Sequence, residues 1–152
     1  DSEAGKFTAG LYSFPTTYVV DKNGNNVKTY SSDAKDITMP MAVLINSDTA
    51  GYGELFACDL KDFGKAFLIG EKTAGRADVQ ETFELSDGGA VVLTTSKMLP
   101  YISESFDGKG LTPDTEIILA DSLRENLSTL EKERDTQLQA AISMLAGNSS
   151  ED

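Results

Sequence analysis

Residue types that hydrolytic enzymes often use are absent or scarce in this sequence of 152 residues. It contains no His and no Trp, and Cys58 is its single cysteine. Without His, the sequence excludes Ser-His-Asp and Cys-His catalysis and lacks the commonest zinc ligand. One cysteine cannot form an internal disulfide, so the redox compartment is undetermined. We predict neither a metal ion nor another cofactor.

Long hydrophobic runs and excess positive charge are also missing. No apolar segment approaches the roughly 18 residues of a membrane span, so we expect no membrane insertion by this chain. The polar, acidic residues 1–6 do not resemble a signal peptide. A net charge of −12 disfavours nucleic acid and anionic lipid, whose phosphates need Lys or Arg for neutralisation. What remains has the composition of an ordinary globular domain.

The residues present predict a single domain with alternating strands and helices. Residues 1–15 are expected to form a poorly ordered lead-in, 16–146 the domain and 147–152 a disordered tail. A hairpin turn is predicted at Asn23-Gly24. The other predicted elements are strands at 41–47, 65–70, 79–85, 90–99 and 117–119, a helix at 53–63, and further helices between 122 and 147.

The helix predicted at 53–63 is amphipathic. Phe56, Leu60 and Phe63 recur at helical spacing and are expected to face the core. Asp59 and Asp62 are expected on a solvated face, and Cys58 fits a small buried side chain better than a reactive thiol. The strand, helix and strand from 41 to 70 predict a right-handed parallel crossover. The domain is therefore predicted to be α/β with a mixed sheet.

One run carries a more specific signal: "MPMAVLINSDTAGYGELFACDLKDFGKAFLIGEKTAGRADVQ", residues 39–80. It resembles the core of the C-terminal processing (tail-specific) serine peptidases, and the similarity extends over roughly 16–145. The resemblance implies a crotonase/ClpP-like α/β spiral core with a mixed β-sheet and flanking helices. The positions that match the motifs are Asn46, Thr49, Ala50, Gly53, Glu54, Asp62, Gly64, Gly70, Lys72, Thr73, Gly75 and Gln80.

The resemblance also implies where the catalytic residues of the family would stand. The nucleophilic Ser corresponds to Gly51, and the Lys that serves as its general base corresponds to Arg76. Gln80 matches the Gln that helps to orient that Lys, and it is retained. Gly51 offers no side-chain atom, and Arg stays protonated in proteins, so it cannot accept a proton. The sequence therefore predicts an active-site turn without a Ser–Lys dyad.

Other residues near these positions leave alternatives open. Ser47 and Lys72 have the same separation in sequence as Gly51 and Arg76, but both match non-catalytic positions of the family. Tyr52 could occupy the old site or be an ordinary turn aromatic. Arg76 could bind a carboxylate such as a peptide C-terminus, or be a plain surface residue.

The leading hypothesis is a non-catalytic pseudopeptidase that binds peptide or protein segments through Gly51, Tyr52, Gly53, Arg76 and Gln80. An alternative is a fragment of an active serine endopeptidase that relies on Ser47 or on segments outside this chain. The family's Gly-Gly oxyanion segment and PDZ domain are expected to precede the region present here. A third hypothesis is that the chain binds a small apolar ligand, as the retinoid-binding relatives of the family do. The resemblance implies an extracytoplasmic location.

Overall fold

Two β-sheets enclose a central helix in the computed structural model, which describes residues 15–31, 39–124 and 127–148. The helices are α1 (Tyr52–Asp62), α2 (Asp121–Arg124) and α3 (Thr136–Asn148). The strands are β1 (Pro15–Asp21), β2 (Asn26–Ser31), β3 (Met41–Ile45), β4 (Ala66–Gly70), β5 (Asp78–Glu84), β6 (Ala90–Pro100) and β7 (Thr115–Glu116). One sheet is antiparallel, in the order β2-β1-β6-β5, and the other is parallel, in the order β3-β4-β7.

The predicted hairpin at Asn23-Gly24 and the parallel pairing of the predicted crossover are confirmed. β1 pairs with β2 across a turn in which Gly24 has a φ of 82°. β5 pairs with β6 in the same antiparallel sense. β3 and β4 are parallel neighbours, and α1 lies between them in the chain. The α/β class is therefore correct, although the parallel and antiparallel strands lie in two separate sheets.

The central helix α1 packs against both sheets, and this changes its predicted core face. Leu55 and Cys58 join a cluster with Met98 of β6, whereas Ala57 joins a cluster with residues of β3 and β4. Leu60 is buried as predicted, but Phe56 is 41% exposed. The prediction that Phe56 faces the core is wrong because a helix enclosed on two sides buries a different and wider arc than a single stripe.

Asp59 corrects the expectation of a solvated acidic face. It is only 1% exposed, and its Oδ2 accepts a hydrogen bond of 3.3 Å from the hydroxyl of Thr17 in β1. Its other carboxylate oxygen, Oδ1, has no partner among the described residues. Asp62 is half-buried and accepts hydrogen bonds from the backbone N–H and the hydroxyl of Ser103. Both carboxylates therefore face the protein rather than bulk water.

The C-terminal part of the chain differs more from the sequence-based prediction. The short strand lies at Thr115–Glu116 instead of 117–119, because Glu116 pairs with Gly70, the residue at which β4 ends. The N–H of Leu119 bonds to Glu71 Oε1 outside the sheet. Helix α2 has four residues and is followed by two 3₁₀ turns, at Leu127–Thr129 and Lys132–Arg134. Helix α3 confirms the final predicted helix and packs against β3 and β4.

The predicted domain boundaries at 15 and 146 stay predictions. Residues 1–14 of the predicted lead-in and 149–152 of the predicted tail lie outside the described residues. Among the residues that the structure describes, no helix has the length and apolar character that a bilayer crossing requires.

Candidate functional site

The turn between β3 and α1 is built around a glycine with an unusual backbone. Gly51 is the residue that caps the N-terminus of α1, with φ 60° and ψ −120°. A side chain at this positive φ would be strained, which is why glycine suits the position. Asn46 shapes the approach, since its Oδ1 accepts hydrogen bonds of 3.0 Å from the N–H groups of Asp48 and Thr49. The turn is therefore rigidly supported on its N-terminal side.

Glu54 fixes this turn against the loop that follows β4. Its side chain is fully buried, and Oε2 accepts hydrogen bonds from the backbone N–H of Gly51 (3.1 Å) and of Arg76 (2.8 Å). Oε1 accepts from the N–H of Gly75 at 2.6 Å and from the hydroxyl of Thr73. Four donors around one carboxylate offset the cost of burying it. Glu54 thus sets the distance between the Gly51 turn and the Arg76 loop.

A third loop, residues 106–112, packs against the same assembly. The Thr73 hydroxyl accepts a hydrogen bond of 2.7 Å from the N–H of Leu111. Gly110 has a φ of 70°, and a Cβ there would lie 2.2 Å from the carbonyl oxygen of Thr73, so only glycine fits. The N–H of Gly108 completes the contact by donating to the Gly75 carbonyl at 2.8 Å. Three loops therefore meet at one end of the two sheets.

The two positions that sequence reasoning singled out are neighbours in space. Apart from its own chain neighbours, a Cβ built on Gly51 would meet one atom of the described residues within 4 Å, the carbonyl oxygen of Arg76 at 3.9 Å. The side chain of Arg76 is exposed, and it forms no ion pair within the described ranges. A hydroxyl-bearing side chain would fit the space at Gly51, but no such oxygen is there.

The other predicted site residues lie around this pair with less structural support. Tyr52 is 44% exposed at the first turn of α1, and Gly53 beside it is also exposed. Gln80 lies on β5 opposite Thr94, with an exposed side chain that has no hydrogen bond among the described residues. Gly51, Tyr52 and Gly53 are consecutive in the chain, and Gly51 lies next to the backbone of Arg76. Gln80 lies on β5, the strand that follows Arg76.

The alternative nucleophile Ser47 has a different environment. Its hydroxyl accepts a hydrogen bond of 3.4 Å from Nη1 of Arg124, and Nη2 of Arg124 contacts both carboxylate oxygens of Glu71 at 2.6 and 2.7 Å. Lys72 is exposed and forms no hydrogen bond with Ser47. An arginine cannot take the proton of an attacking hydroxyl. This geometry gives Ser47 no general base.

The single cysteine has the buried position that the sequence predicts. Cys58 is 3% exposed, and its Sγ lies 3.7 Å from Oδ2 of Asp62. Burial, reinforced by the charges of Asp62 and Asp59, raises the pKa of the Cys58 thiol to about 12. The thiolate that nucleophilic chemistry requires is therefore scarce at neutral pH.

The role of Glu54 was not predicted from the sequence, although Glu54 is one of the positions that match the family motifs. The signal was available, because an acidic residue three positions after a helix N-cap often returns to bond the N-cap N–H. Its longer-range partners, Thr73, Gly75 and Arg76, could not be read from local spacing. Among the described residues, no group of three or more His, Cys, Asp or Glu side chains could hold a metal ion.

The class of the protein follows from the fold and its solved relatives: an α/β fold whose structural neighbours include peptidases. A model of peptidase family S41 matches residues 4–117, and the chain belongs to this family. The resemblance noted in the sequence is thereby confirmed at the level of the family.

Three relatives illustrate the similarity. A carboxyl-terminal-processing protease of Picosynechococcus sp. is 32% identical over 145 residues, covering 94% of this chain and 34% of the relative. The chloroplastic carboxyl-terminal-processing peptidase 1 of Arabidopsis thaliana is 36% identical over 131 residues, covering 83% and 27%. The solved photosystem II D1 C-terminal processing protease has a TM-score of 0.65 at 27% identity, covering 76% and 29%. The chain thus spans about a third or less of each relative's length.

Proposed function

We propose that this chain is a family S41 domain without a working Ser–Lys dyad, which binds peptide or protein segments and does not cleave them. The observation that carries the proposal is the adjacency of Gly51 and Arg76. The resemblance assigns the family's nucleophile and base to these two positions, which lie side by side. One supplies no oxygen, and the other supplies a permanent cation.

The chemical reasoning concerns the first step of acyl transfer. A Ser–Lys dyad needs a hydroxyl that attacks the acyl carbon and a neutral amine that takes its proton. Lys can be neutral because burial lowers its pKa, whereas the pKa of Arg lies above about 12. Loss of the nucleophile alone typically lowers the rate by about a millionfold. Both roles are unfilled at Gly51 and Arg76.

The same geometry supports binding. The backbone of Arg76 is fixed by the buried carboxylate of Glu54, while its guanidinium remains exposed. Guanidinium groups bind carboxylates through paired, charge-assisted hydrogen bonds. A peptide C-terminus or an acidic side chain is therefore the ligand chemistry that we assign to this position. Tyr52 and Gly53 lie at the adjoining turn, where Tyr52 offers an exposed aromatic ring and Gly53 adds no side chain.

Calorimetric titration with peptides that end in a free carboxylate tests the binding proposal. We expect Arg76→Ala to weaken binding by about tenfold or more, since a hydrogen bond to a charged group contributes about 1.5–3 kcal/mol. Arg134→Ala is the matched control, because it removes the same charge from an exposed residue of another element, the 3₁₀ turn Lys132–Arg134. Equal effects of the two variants would contradict a carboxylate site at Arg76.

A second candidate is supported by the names of the relatives, which are processing proteases. In this alternative the chain is part of an active serine endopeptidase, with Ser47 or segments outside the chain completing the site. It predicts labelling by a serine-directed phosphonate, and loss of that labelling in Ser47→Ala. The hydrogen bond from Arg124 to Ser47 argues against Ser47 as the nucleophile.

We also propose an extracytoplasmic location, which fractionation of the producing cells would test.

A further inference from the structure

The outer edge of β5 is open where it leaves the candidate site. β5 begins at Asp78, two residues after Arg76, and it pairs only with β6 among the described residues. All of its residues except Val79 are exposed. An unpaired edge strand presents a row of backbone donors and acceptors to an extended peptide. The edge therefore begins two residues after Arg76, whose side chain is exposed.

The hydrogen-bond register shows which backbone groups face outward. The N–H of Leu85 bonds to the carbonyl of Gly89 at 2.8 Å near the hairpin turn. In an antiparallel pair, bonded positions alternate along the strand, so Phe83 and Glu81 also bond inward to β6. The N–H and C=O groups of Gln80, Thr82 and Glu84 are therefore directed to the free edge. Three consecutive outward positions can hold a short extended segment.

The side chains of this edge select a particular peptide. Phe83 is 43% exposed and lies opposite Val91, so a further strand would cover an apolar surface. Glu81 and Glu84 are exposed and form no ion pair among the described residues. Opposite charges on directly facing strand positions stabilise pairing. An apolar residue is therefore favoured beside Phe83, and basic residues beside Glu81 and Glu84.

We propose that a basic peptide with a free C-terminal carboxylate adds to β5 as an antiparallel strand, with its C-terminus at Arg76; this inference rests on the proposed function. The antiparallel direction follows because Arg76 precedes the start of β5. Side chains that face each other across an antiparallel pair lie on the same face of the sheet. The peptide thus carries basic residues three positions apart, with an apolar residue directly after the first of them.

Backbone-modified peptides test the strand addition without any change to the protein. The probe is an acetylated peptide of about nine residues, the length that spans Glu84 to Arg76 at one residue per strand position. Its first and fourth residues are Lys, its second is Val, and its carboxyl end is free. We expect N-methylation of every second amide to weaken binding tenfold or more. Methylation of the intervening amides should change binding less than threefold. Uniform effects along the peptide would overturn the strand addition.

Charge reversal tests the predicted side-chain preference. We expect Glu81→Lys to weaken binding of the Lys peptide by about threefold, as for an exposed ion pair, and to strengthen binding of a peptide with Glu at the same positions. Glu133→Lys makes the same charge change on an exposed 3₁₀ turn and serves as the control. Equal behaviour of the two variants would overturn the assignment of β5.

The outcomes separate this inference from the proposed function. If peptides bind and Arg76→Ala weakens them, but neither methylation nor Glu81→Lys shows the expected pattern, the carboxylate site stands and the β5 edge is wrong. If Arg76→Ala and C-terminal amidation leave binding unchanged, the proposed function itself fails. Binding that depends on Arg76, alternates with methylation and responds to Glu81→Lys supports both.

Discussion

Replacement of Asp59 by Asn should change how the stability of this protein depends on pH. Asp59 is 1% exposed, with the Thr17 hydroxyl on Oδ2 and no partner for Oδ1 in the part of the chain described. Burial raises the pKa of Asp59 from 3.8 to about 7. The hydrogen bond from Thr17 opposes part of this rise, and the charge of Asp62 adds a smaller increase. The folded protein therefore holds a proton that the unfolded chain releases above about pH 4.

The sign and magnitude of the effect follow from this difference. Because the folded state binds more protons, the free energy of unfolding falls as pH rises from about 4 to about 7, and the loss is complete above that range. At 1.36 kcal/mol per pH unit, the interval from 3.8 to about 7 corresponds to at most about 4 kcal/mol. Between pH 5 and pH 8, Asp59 should account for about 2 to 3 kcal/mol of lost stability.

Urea unfolding at pH 5, 6, 7 and 8, followed by circular dichroism, measures this loss. We expect Asp59→Asn to be less stable than the original protein at pH 5, because the amide brings two N–H donors to a site where the protonated carboxyl brings one O–H. The difference should shrink or reverse by pH 8, because the amide does not ionise. Asp48→Asn, at an exposed residue, is the control and should follow the original protein. If the free energies of unfolding of Asp59→Asn and of the original protein change with pH in parallel, the raised pKa of Asp59 is wrong.

Three further substitutions and reactions test other parts of the structure. Glu54→Ala should lower the free energy of unfolding by about 3 kcal/mol or more, since it removes the acceptor of four hydrogen bonds, two of which are buried. A loss below about 1 kcal/mol in urea unfolding would contradict this role of Glu54. Gly110→Ala should lower the free energy of unfolding by at least about 2 kcal/mol more than Gly88→Ala does. Both glycines have positive φ, but only a Cβ at Gly110 would meet a carbonyl oxygen, at 2.2 Å. Similar losses for the two variants would argue against that contact. Cys58 should resist a thiol reagent at pH 8 until urea is added, because its pKa is about 12. Mass spectrometry measures the labelling, and fast labelling of the folded protein would contradict the burial of Cys58.

Local chemistry made some elements predictable from the sequence. The turn at Asn23-Gly24 needs a positive φ that glycine supplies, and the alternating strands around it fix the hairpin. The apolar runs of β3 and β4 on either side of a helical pattern indicate a parallel crossover. The expectation that Gly51 and Arg76 lie together came from the resemblance and not from spacing, and the geometry of Glu54 explains their proximity.

Long-range contacts decide the features that sequence reasoning missed. Asp59 looks solvated on a helical wheel, but the wheel cannot show that a second sheet covers its side of α1. Phe56 looks like a core residue for the same reason, and the arrangement of the two sheets leaves it half exposed. Leu119 lies outside the sheet, and its N–H bonds to the side chain of Glu71, 48 residues away in the sequence, which no local pattern contains.

Reaction of the purified protein with a serine-directed fluorophosphonate, with each adduct located by mass spectrometry, tests directly whether this domain performs acyl transfer. We expect no adduct on any residue of this chain, and an unstructured polypeptide incubated alongside should remain intact. An adduct on a serine of this chain, together with cleavage of the polypeptide, would show that the domain performs acyl transfer without an oxygen at Gly51.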